Sequence, residues 1–322
     1  MPRQHHLHPI PSQQLALTIE RVEAPMVALT VIDARDAAHP EAMAGKPAKV
    51  AAVQMVSGPS IDSNLQRIES LVGQAVDAQA SLVVLPEMLL CIGPREQVQQ
   101  SWQSDQGHAA VDRLCELAQR HRCWILAGSV PWQALPDDPL PYARSLLIDS
   151  SGRIVAHYDK LHLFDASVDD ATGQYRESEH YRPGDRAVLV DTPFGRLGLS
   201  ICYDLRFPEL FRLYFEAGVD LLAVPSAFTA VTGAAHWHAL LRSRAIENGC
   251  YVIAANQGGE HSPKRHSFGH SLVIDPWGSV LAEHAAGEGL AIADLDLSRC
   301  QQVRRELPCQ QHQRIRYTTP QS

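Results

Sequence analysis

Gly198-Leu199-Ser200-Ile201-Cys202-Tyr203-Asp204-Leu205-Arg206-Phe207-Pro208-Glu209-Leu210 decides the reading of the fold. With Leu197, its first residues are apolar enough for a buried strand that ends at Cys202. Pro208 then suits the first turn of a helix, where its missing N–H has no partner to lose. That helix runs to Ala217 and is closed by Gly218. A strand entering a helix through a short turn is the unit of α/β folds, whose clefts open past the strand ends. Outward from this unit, Val188–Asp191 and Leu197–Cys202 flank Pro193-Phe194-Gly195 and read as a hairpin. Leu221–Val224 follows as a strand, and Trp237–Asn248 as a helix stopped by Gly249. Tyr251–Ala255, Ser271–Ile274 and Leu290–Leu295 are further strands, with Pro276-Trp277-Gly278 turning a hairpin.

The N-terminal side repeats the alternation. Lys49–Met55 reads as a buried strand. Ser63-Asn64-Leu65-Gln66 has the form of a capping box, and Leu65, Ile68, Val72, Ala75 and Val76 stripe one helical face behind it. Ser81–Leu85 is a second buried strand. Val111, Leu114, Cys115 and Ala118 mark a second helix, followed by the strand Cys123–Val130. Arg144–Tyr158 carries Ser150-Ser151-Gly152 between apolar runs, another hairpin. Recurring hairpins among interleaved helices predict α/β layers with mixed sheets. Residues 1–47 lack this periodicity. The apolar Met26–Ile32 stretch finds no obvious partner, so the segment reads as a poorly ordered extension. Residues 48–322 read as one domain.

Composition narrows the function. The 322 residues are 45% hydrophobic, enough for a large core. Net charge is -8, from 36 acidic and 28 basic residues. A mildly acidic chain without a dense basic run argues against nucleic acid as a partner. Apolar runs fall short of the roughly 18 residues that would span a bilayer, which argues against a membrane. The start does not have the pattern of a signal peptide. The seven cysteines are odd in number and include no C-x-x-C pair, which predicts thiols in a reducing, cytoplasmic compartment.

Three residues just past strand ends carry the chemistry. Glu87 follows Leu82-Val83-Val84-Leu85-Pro86, where a carboxylate is placed to act as a base. Lys160 sits among apolar and aromatic residues in Tyr158-Asp159-Lys160-Leu161-His162-Leu163-Phe164-Asp165. Cys202 occupies the strand-to-helix turn, where its sulfur can face a cleft. Each alone is ambiguous: a strand-end glutamate is often a structural ion-pair partner, a lone cysteine a buried hydrophobe, and a lone lysine a solvated charge. Together they describe a nucleophile, a base and a fixed cation.

The chain resembles the nitrilase superfamily of carbon–nitrogen hydrolases. The matching stretches are Leu85-Pro86-Glu87, residues 160–164 (KLHLF), residues 198–209, residues 225–228 (PSAF), residues 232–237 (TGAAHW), residues 242–257 and residues 269–278. The resemblance runs from residue 49 to about residue 316. Met88-Leu89 is a departure, where many members have an aromatic residue nearby. The resemblance implies a four-layer αββα sandwich that dimerises through helices. It also implies a Glu87, Lys160, Cys202 triad, with Glu177 as a second glutamate and no metal or organic cofactor.

By that resemblance Cys202 attacks an amide carbonyl, Glu87 shuttles the proton, and Lys160 with a backbone N–H near Tyr203 stabilises the oxyanion. Residues 225–276, the loop at 257–271 and the ending Arg304–Arg314 look similar to amidases acting on deaminated glutathione. Arg206, Arg242, Arg244 and Arg265 are candidates to pair with a substrate carboxylate, each alone reading as a structural ion-pair partner; that substrate is anionic, which suits a pocket containing Arg206 or Arg265. Phe228 is placed on the pocket wall. The rivals are an omega-amidase on 2-oxoglutaramate, a nitrilase using the same triad, and a catalytically silent interaction protein. His236 and His238 form an H-x-H pair without a third ligand at a natural spacing. His5, His6 and His8 lie in the extension. The courses of loops 165–180 and 257–268 do not follow from the sequence.

Overall fold

In the computed structural model, structure is described for residues 27–35, 48–94, 96–98, 106–134 and 138–314. The strands are β1 (Ala28–Asp33), β2 (Ala48–Gln54), β3 (Leu82–Val84), β4 (Trp124–Trp132), β5 (Tyr142–Ile148), β6 (Ile154–Asp159), β7 (Asp165–Ser167), β8 (Gln174–Arg176) and β9 (Arg186–Thr192). They continue as β10 (Gly195–Leu199), β11 (Leu221–Ala223), β12 (Tyr251–Ala254), β13 (Gly258–Ser262), β14 (Arg265–Phe268), β15 (Ser271–Ile274), β16 (Val280–His284) and β17 (Gly289–Leu295). Four helices matter to the layers: α1 (Ile61–Asp77), α2 (Gln106–His121), α3 (Pro208–Glu216) and α4 (Ala230–Asn248).

Two mixed sheets carry the fold. One has the order β1-β9-β10-β11-β12-β15-β16, the other β17-β2-β3-β4-β5-β6. The period-2 alternation of each strand divides its side chains between two cores. In β2, β3 and β4, Val50, Ala52, Leu82, Val84, Trp124 and Leu126 face the core shared with the other sheet. Ala51, Val53, Val83 and Ile125 face a second core under α1 and α2. On the far side, Leu210, Phe211 and Tyr214 of α3 and Trp237, Leu241 and Ala245 of α4 pack against the first sheet. The layers therefore read αββα, as the family resemblance implies.

The strand before Cys202 ends at Leu199 rather than at Cys202, and three further differences from the sequence reading stand out. The cap of α1 is Ser60, whose hydroxyl accepts from the Ser63 N–H, rather than Ser63 itself. Helix α4 begins at Ala230, capped by Thr229, seven residues before Trp237. Gly233 hides that start, because a glycine argues against a helix interior. It is needed there: a Cβ would collide with the Phe268 side chain. The third difference corrects part of the N-terminal reading. Residues 28–33 form β1, parallel to β9 from Ala28 opposite Arg186 to Asp33 opposite Asp191. Its partner lies far along the chain, and no local pattern announces such pairing. Residues 1–26 and 36–47, including His5, His6 and His8, lie outside the described residues.

Candidate active site

The turn after β10 places Cys202 by backbone geometry. Cys202 has φ of 49°, in the left-handed region uncommon for a side-chain-bearing residue, and its N–H donates to the Pro225 carbonyl at 2.9 Å. The turn is held from below by Asp204, which is fully buried. Asp204 accepts the Ile201 N–H at 2.8 Å, the Tyr158 hydroxyl at 2.7 Å and the His162 N–H at 3.1 Å. The His162 ring stacks on Phe207 with centroids 3.7 Å apart.

Glu87 arrives at the end of β3. Gly128 on β4 lets the Leu85 and Pro86 carbonyls approach where a Cβ would collide with them. Glu87 Oε2 accepts the Ala227 N–H at 2.8 Å, and Oε1 accepts from Lys160 Nζ at 2.8 Å. Lys160 leaves β6, its N–H donating to the Ala143 carbonyl. Its ammonium also reaches both Glu177 oxygens, at 2.9 and 2.8 Å. Glu177 is fixed in turn by the Phe164 N–H at 2.6 Å. One buried cation thus sits between two carboxylates, beside the sulfur.

The electrostatics follow from burial. Desolvation would lower the Lys160 pKa, but Glu177 and then Glu87 reverse it and hold the amine well above its usual value, hence charged. Burial raises the Glu177 carboxyl, Lys160 opposes that rise, and Glu87 adds to it. The Cys202 thiol is pushed well above its ordinary value, first by burial and then by the Glu87 carboxylate, with Lys160 opposing. A neutral resting thiol beside a carboxylate is an arrangement for proton transfer at the moment of attack, rather than for a standing thiolate.

A cavity of about 440 Å³ opens onto Glu87, Lys160, Glu177 and Cys202. Its roof is two short ribbons, β7–β8 and β13–β14, the courses that the sequence leaves open. They meet where the Thr172 hydroxyl donates to the Lys264 carbonyl at 2.7 Å. Arg265 on β14 lines the cavity, its guanidinium 3.0 Å from Met88 Sδ. His261 anchors that ribbon. Its Nδ1 lies 2.9 Å from the Ser57 carbonyl and so carries the proton, leaving Nε2 to accept from the Ser267 hydroxyl at 2.9 Å. Burial lowers the His261 pKa to about 4, which keeps this neutral tautomer.

The other sequence candidates part company with the cavity. Arg206 is not among the described residues that line it. Its guanidinium lies 4.9 Å from the Phe228 ring centroid and bonds His236 Nδ1 at 3.2 Å. Phe228 is buried against Trp237, and the Tyr203 ring packs between Phe164 and Phe207, so neither side chain forms the wall. Arg244 pairs with Glu247, and Arg242 donates to the Gly278 carbonyl, the structural alternative for both. Sequence reasoning missed Arg176, His180 and Tyr175 on the cavity wall. Tyr175 and Arg176 sit on a polar ribbon with three-residue strands, and His180 follows the short turn Glu177–Glu179, all too short for any period to show.

Residues 49–305 match the family model described as carbon–nitrogen hydrolase. A deaminated glutathione amidase from Synechocystis is 43% identical over 270 residues, covering 83% of this chain and 98% of that protein. The human deaminated glutathione amidase is 40% identical, covering 82% of each. Among solved structures, the Caenorhabditis elegans NitFhit protein superposes with a TM-score of 0.77 at 41% identity. That match covers 84% of this chain, which spans 66% of the NitFhit chain. Saccharomyces cerevisiae Nit3, described as a member of branch 10 of the nitrilase superfamily, gives 0.73 at 32% identity, covering 82% of this chain and 95% of that one. A Nesterenkonia amidase carrying a covalent acetamide moiety at its active-site cysteine gives 0.68 at 26%, covering 82% and 95%. Family match, layered fold and cysteine-centred cavity agree: the chain belongs to the carbon–nitrogen hydrolases of the nitrilase superfamily.

Proposed function

We propose that this protein is an amidase that hydrolyses a small, carboxylate-bearing amide of the deaminated glutathione type through a thioester on Cys202. The observation that carries the reading is one cavity holding a thiol, a carboxylate beside it, a buried ammonium and, at the roof, Arg265. Glu87 takes the Cys202 proton as sulfur attacks the carbonyl carbon. The oxyanion develops against Lys160 and the backbone N–H at Tyr203. Collapse expels the amine or ammonia, which receives the proton from Glu87. Water then enters, gives a proton to Glu87 and attacks the thioester; the acid leaves and the thiol is restored. Glu177 orients Lys160 throughout. Every step uses groups of this chain, without a cofactor. The names of the amidase relatives support the substrate class, and the Arg265 guanidinium supports an anionic substrate.

The test is a release assay, reading primary amine and ammonia, across deaminated glutathione, 2-oxoglutaramate, neutral amides and nitriles. The reading expects deaminated glutathione to give the highest kcat/KM, and Cys202→Ala and Cys202→Ser to be nearly dead yet folded, since a serine hydroxyl ionises far less readily than a thiol. Either variant retaining activity within about tenfold of the parent sinks the mechanism; a preference for 2-oxoglutaramate or nitriles moves the substrate assignment.

The same proposal includes a homodimer in the cytoplasm. Ile246 on α4 and Trp277, Val280 and Leu281 on the β15–β16 hairpin are exposed apolar side chains, and Gly278 brings that hairpin against Ile246. Sedimentation showing only monomer at micromolar concentration would overturn the dimer. Seven thiols suit a reducing compartment, which cell fractionation tests.

A further inference from the structure

We infer that His238, His270 and Glu283 form a binding site for a first-row divalent transition metal, separate from the amidase cavity and independent of the amidase reading. The three come from different elements: His238 from α4, His270 from the turn before β15, and Glu283 from β16. Their ligand atoms all lie within 4.8 Å of one another. Glu283 Oε1 already gathers both imidazoles, His238 Nε2 at 2.9 Å and His270 Nδ1 at 2.5 Å. His236, the other half of the H-x-H pair, is two residues along the helix, turns away and bonds Arg206. The second and third ligands were invisible in the sequence because the partners of His238 lie in remote segments.

The backbone around the site is pinned. The His270 carbonyl accepts from Trp237 Nε1 at 2.8 Å, which ties it to the residue beside His238. The His270 N–H donates to the Ala285 carbonyl at 3.1 Å. Phe268 stacks on the His270 ring with centroids 4.3 Å apart and meets the His238 ring edge-on. Two ring orientations are therefore set before any metal arrives.

Two imidazoles and a carboxylate select zinc, nickel, copper or cobalt over magnesium and calcium, which want oxygen. Metal–ligand distances near about 2.0–2.2 Å place tetrahedral donors about 3.3–3.5 Å apart. The present N···O contacts must open by less than about 1 Å for that. The side chains are 38%, 30% and 30% exposed, so small rotations suffice and the remaining position faces water. Binding displaces the protons that now make these hydrogen bonds. Metal here would fasten α4 to β16 and to the base of the ribbon that carries Arg265.

Zinc chloride is titrated calorimetrically into the full chain carrying Cys202→Ala and with His5, His6 and His8 changed to Asn, which removes the competing thiol and tail imidazoles. His238→Ala, His270→Ala and Glu283→Gln are compared on that background; the last keeps size and a hydrogen-bonding oxygen, so folding is preserved. The expected result is one zinc per chain, weakened roughly tenfold or more in each variant, and a zinc anomalous peak between the three side chains in crystals. No uptake by the parent, uptake unchanged in the variants, or a peak elsewhere overturns the site.

Discussion

The Tyr158 hydroxyl donates to Asp204 Oδ2 at 2.7 Å, and the same oxygen accepts the Ile201 N–H at 2.8 Å. A residue near the end of β6, the strand that leads to Lys160, therefore holds the turn that presents Cys202. The Tyr158 hydroxyl is shifted well upward, first by burial and then by the Asp204 charge, so it stays protonated and donating.

Asp204→Asn should disturb both stability and rate. An amide must turn its NH₂ toward an N–H donor, either that of Ile201 beside the Tyr158 hydroxyl or that of His162, whose ring Nδ1 also lies 2.7 Å from Oδ1. Loss of charged hydrogen bonds in a buried site costs about 3 kcal/mol, read as a lower urea midpoint with an unchanged slope. Tyr158→Phe should cost less, about 2 kcal/mol. An Asp204→Asn protein as stable as the parent would show that the turn holds itself.

Lys160→Met should destabilise beyond its lost packing, because it leaves Glu87 and Glu177 facing each other in a buried site. Breaking a buried ion pair by removing one partner costs about 3–5 kcal/mol. The pH dependence has a definite sign. Burial already raises the Glu177 pKa, and losing the ammonium raises it further. A carboxyl raised in the fold stabilises at low pH, and that stability is lost as pH rises through its folded pKa. The variant should therefore gain stability from pH 8 to pH 5, and adding Glu177→Gln should flatten that gain. A pH-independent Lys160→Met variant would contradict the placement.

Arg265→Met and Arg206→Met separate a substrate anchor from a structural arginine. Arg265 lines the cavity, whereas Arg206 lies over Phe228. Arg265→Met should lower kcat/KM for carboxylate-bearing amides by roughly 2–3 kcal/mol and spare neutral amides. Arg206→Met should affect both substrate classes alike and lower the melting temperature. The opposite pattern would return the anchor to Arg206.

Deleting residues 1–35 should weaken the fold. β1 pairs with β9 over six residues, and Val27, Leu29 and Ile32 pack against the core. Three half-buried aliphatic side chains contribute about 3 kcal/mol together, which calorimetric melting can read. Deleting residues 1–26 alone, which leaves β1 intact, is the comparison; equal melting of both truncated chains would show β1 to be dispensable.

What the sequence determined by itself was everything with a local signature. Short apolar runs bounded by turn residues marked β2 to β6 and β9 to β12, and Pro208 and Gly218 bounded α3, because a buried strand leaves an apolar run and turns demand particular backbones. Glu87, Lys160 and Cys202 were legible because each lies just past a strand within a recognisable motif. Tertiary structure decided what depends on partners remote in the chain. β1 became a strand only because Arg186–Asp191 offered an open edge, and the two roof ribbons are polar and too short for periodicity. Arg206 and Arg265 look equivalent in sequence, yet the turn after Cys202 aims one at Phe228 and the β13–β14 ribbon aims the other into the cavity. His238 gained its partners the same way, since the direction of a side chain is fixed by the packing of its element rather than by its neighbours in sequence.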